Sequence, residues 1–287
     1  MEQVLQSDLV QEELRCYGLS GREAALIRHK DGMIVARVRT DGGTAILKAF
    51  ENETFRREIR NYEILQRCGV PTIAVLGKSE RSILLEDIDA SGVYRLGEER
   101  DLHDPAAVEA IARWYRTLHT NGSRYVRQYG AGMYEEWDLL TAENLERIRE
   151  RFDLAENKGL RAVRERFSEL RALLDAAPRT LTYNDFYYTN LIVRRDASEA
   201  LMFDYNLLGK GCCVSDIHNV IYWLDEENRK RFFAVYGDAD ARLMLLDRIC
   251  APAVSLVSAA DRNIFPDWAR EAVAELDAIP ALLAALQ

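Results

Sequence analysis

The sequence predicts an α+β protein with a small β-rich N-terminal lobe, residues 1–87, and a larger, mostly helical C-terminal lobe, residues 88–287. Three observations carry this. The runs Met33 to Val38 and Thr44 to Phe50 are β-prone and joined by Asp41-Gly42-Gly43, and an Asp-Gly turn between such runs signals a hairpin. From about residue 88 onward, apolar residues recur mainly at helical spacing. Inside that helical region a single stretch, Leu181 to Asp204, returns to strand character.

The elements follow in order. Residues up to about 25 are polar with a helical rhythm of Leu5, Leu9 and Leu14. Asn52 to Cys68 reads as a helix with Phe55, Ile59, Tyr62 and Leu65 on its apolar face, closed by Gly69 and Pro71. Ile83 to Leu85 is a short buried-type strand. Asp104-Pro105 opens a helix through Ala110, Ile111, Trp114 and Leu118, expected to stop at Asn121-Gly122. Thr141 to Ala177 is charged and amphipathic, with a division expected at Gly159. Ser215-Asp216 is read as the cap of a helix through Val220, Ile221 and Leu224, and residues 239–287 form an Ala/Leu-rich helical tail. Repeats and low-complexity linkers are absent from the sequence.

Composition narrows the classes. A chain of 287 residues buries a large core and accommodates two lobes. A net charge of -9 argues against bulk nucleic-acid binding, which needs a basic footprint. Cys16, Cys68, Cys212, Cys213 and Cys250 form no C-x-x-C pair and no metal spacing, which suggests reduced thiols and a cytoplasmic setting. Met1-Glu2-Gln3 begins no basic-then-apolar pattern, so no signal peptide is expected, and no apolar run approaches bilayer length.

The chemistry concentrates in Tyr183-Asn184-Asp185-Phe186-Tyr187-Tyr188-Thr189-Asn190, then Leu191-Ile192-Val193, then Phe203-Asp204-Tyr205. An Asp and an Asn five positions apart precede an apolar strand, and a second Asp closes another apolar run. Phosphoryl transfer from ATP uses these residue types in this order. One carboxylate faces the acceptor hydroxyl, while an Asn amide oxygen and a second carboxylate hold magnesium. Magnesium is a hard cation that takes oxygen ligands, so Asn with Asp suits it. The hexad alone is weak evidence; with the strand and second Asp behind it, the signal is much stronger.

With these motifs the chain resembles the aminoglycoside phosphotransferase and choline kinase family, small-molecule kinases of the protein-kinase-like fold. Thr44 to Phe50 resembles the strand that carries the family's phosphate-binding Lys, here Lys48, and Phe55 to Tyr62 the helix whose Glu pairs with it, here Glu58. Gly69-Val70-Pro71 matches the exit from that helix, and Ile83 to Asp87 the strand entering the interlobe hinge. Leu118-His119 is similar to a common Leu-His pair, and Gly209 to Asp216 to the segment after the metal-binding Asp. The similarity spans residues 25–225 in the family's order.

It implies Asp185 as catalytic residue, Asn190 and Asp204 as magnesium ligands, and Lys48, Glu58, Gly32, Glu86 and Asp87 around ATP. The implied substrate is a hydroxyl of a small molecule such as an aminoglycoside, choline or a sugar. Tyr183 stands where the family usually has His, and the hairpin Lys30-Asp31-Gly32-Met33 has one glycine. A nucleotide-binding pseudoenzyme is the alternative. A protein kinase fits less well, because eleven residues separate Asp204 from Asp216 and no Ala-Pro-Glu follows.

Each candidate has a plainer reading. Lys48 would otherwise be a solvated edge Lys, Asp185 and Asp204 turn residues, and Asn190 an Asx turn. Glu63 rivals Glu58 as the Lys48 partner. His119 and His218 read as packed, hydrogen-bonded histidines. Asp225, Glu226, Glu227, Asp238 and Asp240 read as acidic first helical turns before a site for a cationic acceptor. Trp137, Tyr222 and Trp223 read as core before cleft.

Overall fold

A computed structural model describes residues 2–286; Met1, where the chain-start reading begins, and Gln287, which ends the helical tail reading, lie outside the described residues. The described chain gathers into two compact units. The first comprises the residues up to Leu118 together with Asp185–Leu208 and Asp225–Val235. The second comprises His119–Asn184, Gly209–Leu224 and the residues from Tyr236 onward.

The first unit is built on an antiparallel sheet of β1 (Ala24–Lys30), β2 (Met33–Thr40), β3 (Gly43–Phe50), β4 (Val75–Lys78) and β5 (Ser82–Glu86), in the order β1-β2-β3-β5-β4. Strand alternation explains its two faces. Ile34 and Val38 of β2 and Ala45, Leu47 and Ala49 of β3 pack with Val10 and Leu14 of the Asp8–Cys16 helix. Met33, Val35 and Arg37 of β2 and Ile46 and Lys48 of β3 instead line a cavity on the other face. The hairpin predicted at Asp41-Gly42 forms, with Thr40 opposite Gly43. The expected Asn52–Cys68 helix divides into a 3-10 turn, Glu53–Arg56, and an α-helix, Arg57–Arg67.

A second, three-stranded sheet in the same unit joins Tyr94–Leu96, Leu191–Arg194 and Ala200–Met202. The second unit is mostly helical. Its core gathers Leu145, Leu160, Leu170, Leu174, Ile249, Val254 and Leu276, with Trp137 and Cys250.

Three boundary expectations are corrected. The helix opened at Pro105 continues to Tyr129, through Asn121-Gly122. Gly122 is there for contact: a Cβ on it would lie 2.6 Å from the Leu181 Cβ. Gly159 does not divide the charged segment either. The helices are Ala142–Arg151, Lys158–Glu165 and Phe167–Ala176, and the Asn157 side chain caps the second by accepting the Leu160 N–H. Gly159 sits inside that helix because the Leu276 backbone crosses it. Finally, the N-cap of the Cys213–Ile221 helix is Cys212, and Asp216 lies in its first turn. Among the described residues no helix is long and apolar enough to cross a membrane.

Gly159→Ala tests this packing. Helix propensity favours Ala by about 1 kcal/mol, but the new Cβ would fall 1.8 Å from the Leu276 carbonyl oxygen. Overpacking of this kind costs about 1–3 kcal/mol. A net loss of stability in urea denaturation is the expected outcome; a gain would refute the close approach.

Candidate functional site

The short hairpin of the second sheet brings two distant residues together. Leu191 pairs with Met202, Ile192 with Leu201 and Val193 with Ala200, and the Phe203 N–H donates to the Asn190 carbonyl at 3.1 Å. Asn190 and Asp204 therefore flank the same end of one ladder. Asp204 leaves it in the left-handed region, with φ 60°, a conformation that Asp tolerates better than most residues. The turn redirects the chain and presents the Asp204 carboxylate to Lys48.

Lys48 is central to β3, paired on either side with Val35 and Ile83. Its ammonium lies 2.6 Å from Glu58 Oε2 and 2.9 Å from Asp204 Oδ1. Desolvation would lower the Lys48 pKa, but the attraction of Glu58 and Asp204 reverses this and leaves it above its ordinary value. Burial pushes the Glu58 carboxyl up to about 7, against the pull of Lys48. Two carboxylates so close to one ammonium keep that ammonium charged. Glu63, the rival partner, pairs instead with Lys78.

The helix that supplies Glu58 is docked onto the Asp204 turn. Asn61 Nδ2 donates to the Tyr205 carbonyl at 2.7 Å, and the Tyr62 ring meets the Tyr205 ring edge-on at 4.8 Å. Asn206 Nδ2 donates to Asp204 Oδ1 at 2.7 Å. With Lys48 and Asn206 both on Oδ1, Oδ2 remains for a cation.

Asp185 is tied to Asn190, whose Nδ2 lies 3.1 Å from both the Asp185 carbonyl and Asp185 Oδ2. The amide nitrogen is thereby occupied, which leaves the amide oxygen of Asn190. One carboxylate oxygen and one amide oxygen are hard donors that fit magnesium. Among the described residues no cluster of three or more His, Cys, Asp or Glu side chains stands ready for a metal. The Asp185 carboxyl is raised to about 7, first by desolvation and then by the charge of Asp204. A group poised there suits proton transfer near neutral pH.

The cavity beside Lys48 measures about 320 Å³, at the lower end of the range for ligand pockets. Ile46, Leu85, Ile192 and Phe203 give it apolar walls, and Lys48, Glu58 and Asp204 a charged end. Glu86 and Asp87 line it too. The Asp87 carboxylate is taken up internally by Arg37 and Thr44. Gly32 does not line the cavity, although Lys30, Asp31 and Met33 around it do. It takes φ 78° in the β1–β2 turn, and a Cβ there would press on Asn52.

In the second unit, Asp216 braces the segment leading to Asp185. Its two oxygens accept the adjacent N–H groups of Tyr183 and Asn184, both at 2.8 Å. His119 Nε2 lies 3.0 Å from Asp216 Oδ2, and His119 Nδ1 lies 2.8 Å from the Tyr236 hydroxyl. Tyr183 is fully buried, and its link to Asp216 runs through the backbone. His218 bonds Asp247, and Trp137 is core. Four of the five acidic residues stand at helix starts: Asp225 accepts the Asn228 N–H, Glu226 and Glu227 occupy the first turn of the Glu226–Tyr236 helix, and Asp240 accepts the N–H groups of Arg242 and Leu243, whereas Asp238 lies in the connection between two helices.

Sequence reasoning missed Asn61, Asn206 and Arg37. Asn61 follows Glu58 by one helical turn on the same face, the only local signal it carries.

An antiparallel sheet, a docked helix with a Lys–Glu pair and a helical remainder constitute the protein-kinase-like α+β fold. Solved proteins share it. A choline kinase from Streptococcus pneumoniae is 14% identical with a TM-score of 0.65, covering 99% of each chain. A macrolide 2'-phosphotransferase from Brachybacterium faecium is 16% identical with a TM-score of 0.64, over 94% of this chain and 98% of that one. The aminoglycoside phosphotransferase APH(2")-IIa, in a ternary complex with streptomycin and ATP, is 17% identical with a TM-score of 0.64, over 88% and 92%. Among curated proteins no sequence is similar enough to match. The model of the phosphotransferase enzyme family matches residues 31–249, so the chain belongs to that family and is a phosphotransferase.

The raised Asp185 pKa carries a sign. A carboxyl raised in the folded state binds a proton that the unfolded chain releases near pH 4, so its contribution to stability is lost as pH rises through about 7. Asp185→Asn stays neutral. In metal-free protein, the melting temperature of Asp185→Asn relative to wild type should rise between pH 5 and pH 8. A flat or falling difference would contradict the shift.

Proposed function

We propose that this phosphotransferase moves the γ-phosphoryl group of ATP to a hydroxyl of a small molecule, with magnesium as the metal. In this reading residues 1–87 form the nucleotide lobe and residues 88–287 the lobe for catalysis and the acceptor. The observation that carries it is the joined polar set: Lys48 held by Glu58 and Asp204, and Asp185 held by Asn190, on two sides of one backbone link.

Bound ATP with magnesium supplies the transferable phosphoryl group and the positive charge that offsets its oxygens. Lys48, fixed in direction by Glu58, presents its ammonium to phosphate oxygens at the charged end of the cavity. The apolar walls shelter a planar base. Asp204 Oδ2 and the Asn190 amide oxygen are the metal donors. Asp185 accepts the hydrogen bond of the incoming hydroxyl, aligns it and takes its proton. Keeping Asp185 rigid through Asn190 reduces the reorganisation needed at the moment of transfer.

The path after Asp204 favours a small acceptor. The chain makes a turn at Tyr205–Leu207, a strand at Gly209–Gly211 and enters a helix at Cys213, which leaves no room for an activation loop. Solved proteins of the same fold include kinases for choline and macrolides, and the present reading extends to alcohols of that size.

Production of ADP from ATP is to be measured against a panel of amino alcohols, aminoglycosides, macrolides and sugars. Asp185→Asn should lower turnover with the responding acceptor by about 10²–10⁴-fold while ATP still binds. Asp204→Ala should abolish transfer and leave the protein folded. Full turnover in either variant would refute the assignment. Nucleotide binding without turnover against every acceptor in the panel would favour the pseudoenzyme.

A further inference from the structure

Arg37 is out of place by composition. It lies within β2, opposite Ile46 of β3, and faces the cavity beside the apolar Met33 and Val35. Arg37 is only half-buried there, and it has two acidic partners. Its Nε lies 2.6 Å from Asp87 Oδ2 and its Nη2 3.2 Å from Asp87 Oδ1, a bidentate fork. The same Nη2 reaches Asp89. Asp87 is only 4% exposed, and it also accepts the Thr44 hydroxyl at 2.7 Å and the Asp89 N–H at 3.2 Å. Its carboxylate therefore ties together β2, β3 and the chain leaving β5.

That chain forms the cavity wall from Leu85 to Asp89. In β3, Lys48 pairs with Ile83 and Ala45 with Glu86. Three residues at about 3.4 Å each put the start of this segment about 10 Å along the strand from the Lys48 level. The cavity thus has a phosphate end at Lys48 and a second end at residues 86–89.

We propose that Arg37 is a positioning residue for the nucleoside end of the bound nucleotide, fixing the Glu86–Asp89 segment through Asp87 and so setting nucleotide affinity rather than the rate of transfer. This rests on the ATP reading above. A cavity wall that contacts a ligand binds best when it is held in place beforehand, because ordering it afterwards subtracts from affinity. Arg37 does this from outside the segment. Lys48, Asp204 and Asp185 are untouched by it, so its loss removes binding shared equally by ground state and transition state.

The test is a set of three variants with two readouts, ADP binding by calorimetry and steady-state kinetics with ATP. Arg37→Ala should weaken ADP binding and raise the KM for ATP by about tenfold or more, with kcat within about twofold. Arg37→Lys keeps the charge but loses the fork, and should fall between it and wild type. Asp89→Asn, at an exposed position, should show a smaller shift in the same direction. If Arg37→Ala does not fold, the other two decide. Unchanged ADP affinity in the folded variants, or a fall in kcat as large as the rise in KM, overturns the proposal. Failure of wild-type protein to bind ADP or ATP would instead overturn the functional reading, and this inference with it.

Discussion

Burying Lys48 and Glu58 together constrains everything around them. Lys48 is 6% exposed and Glu58 fully buried, and removing Lys48 would leave the buried Glu58 carboxyl without its cation, a change of the kind that costs about 3–5 kcal/mol. The helix that holds Glu58 therefore has little freedom to shift or rotate. Asn61 and Tyr62, one turn on, lock that position against Tyr205. Because Tyr205 follows Asp204, the same contacts also fix the second carboxylate. An apolar pair at positions 48 and 58 would pack as well, and it would not orient a cation.

Two residues of the candidate site are held in left-handed backbone, Asn184 at φ 64° and Asp204 at φ 60°. Such conformations persist only where their surroundings over-determine them. Each has its own restraint. In the second unit, Asp216 accepts the N–H groups of the two consecutive residues Tyr183 and Asn184 and is itself bonded to His119, which Tyr236 backs. In the first, Asn206 and Lys48 hold Asp204. The motif is stiff because charged and backbone partners surround it. Glycine plays no role in it, which agrees with its scarcity there.

What the sequence revealed depended on the range of each signal. β2, β3 and the Arg57–Arg67 helix carry a full local period, and they appear where expected. β4 and Tyr94–Leu96, of four and three residues, are too short to show one. Gly122 and Gly159 look like helix breakers in one dimension, and only the approach of Leu181 and Leu276 explains them. Asp216 has the sequence signature of a cap, yet its hydrogen bonds go to a segment 32 and 33 positions away. Asp185, Asn190 and Asp204 were legible because one strand pair fixes their order. Asn61 and Arg37 were not, since their partners lie 144 and 50 positions distant.

The Leu191–Met202 hairpin separates two kinds of spacing. Asn190 and Asp204 are neighbours because of ladder register, whereas the count of residues between them depends on the turn at 195–199, at the far end of the ladder. Exposed loop tips accept insertions at small entropic cost, about 0.6 kcal/mol per doubling of length. Relatives are thus free to lengthen that tip without moving either residue. Slippage of one strand by one residue is the change they cannot accept, because it would turn that strand's side chains to the opposite face and part the two residues. Divergence in this region should show as length variation at the turn and invariance of register.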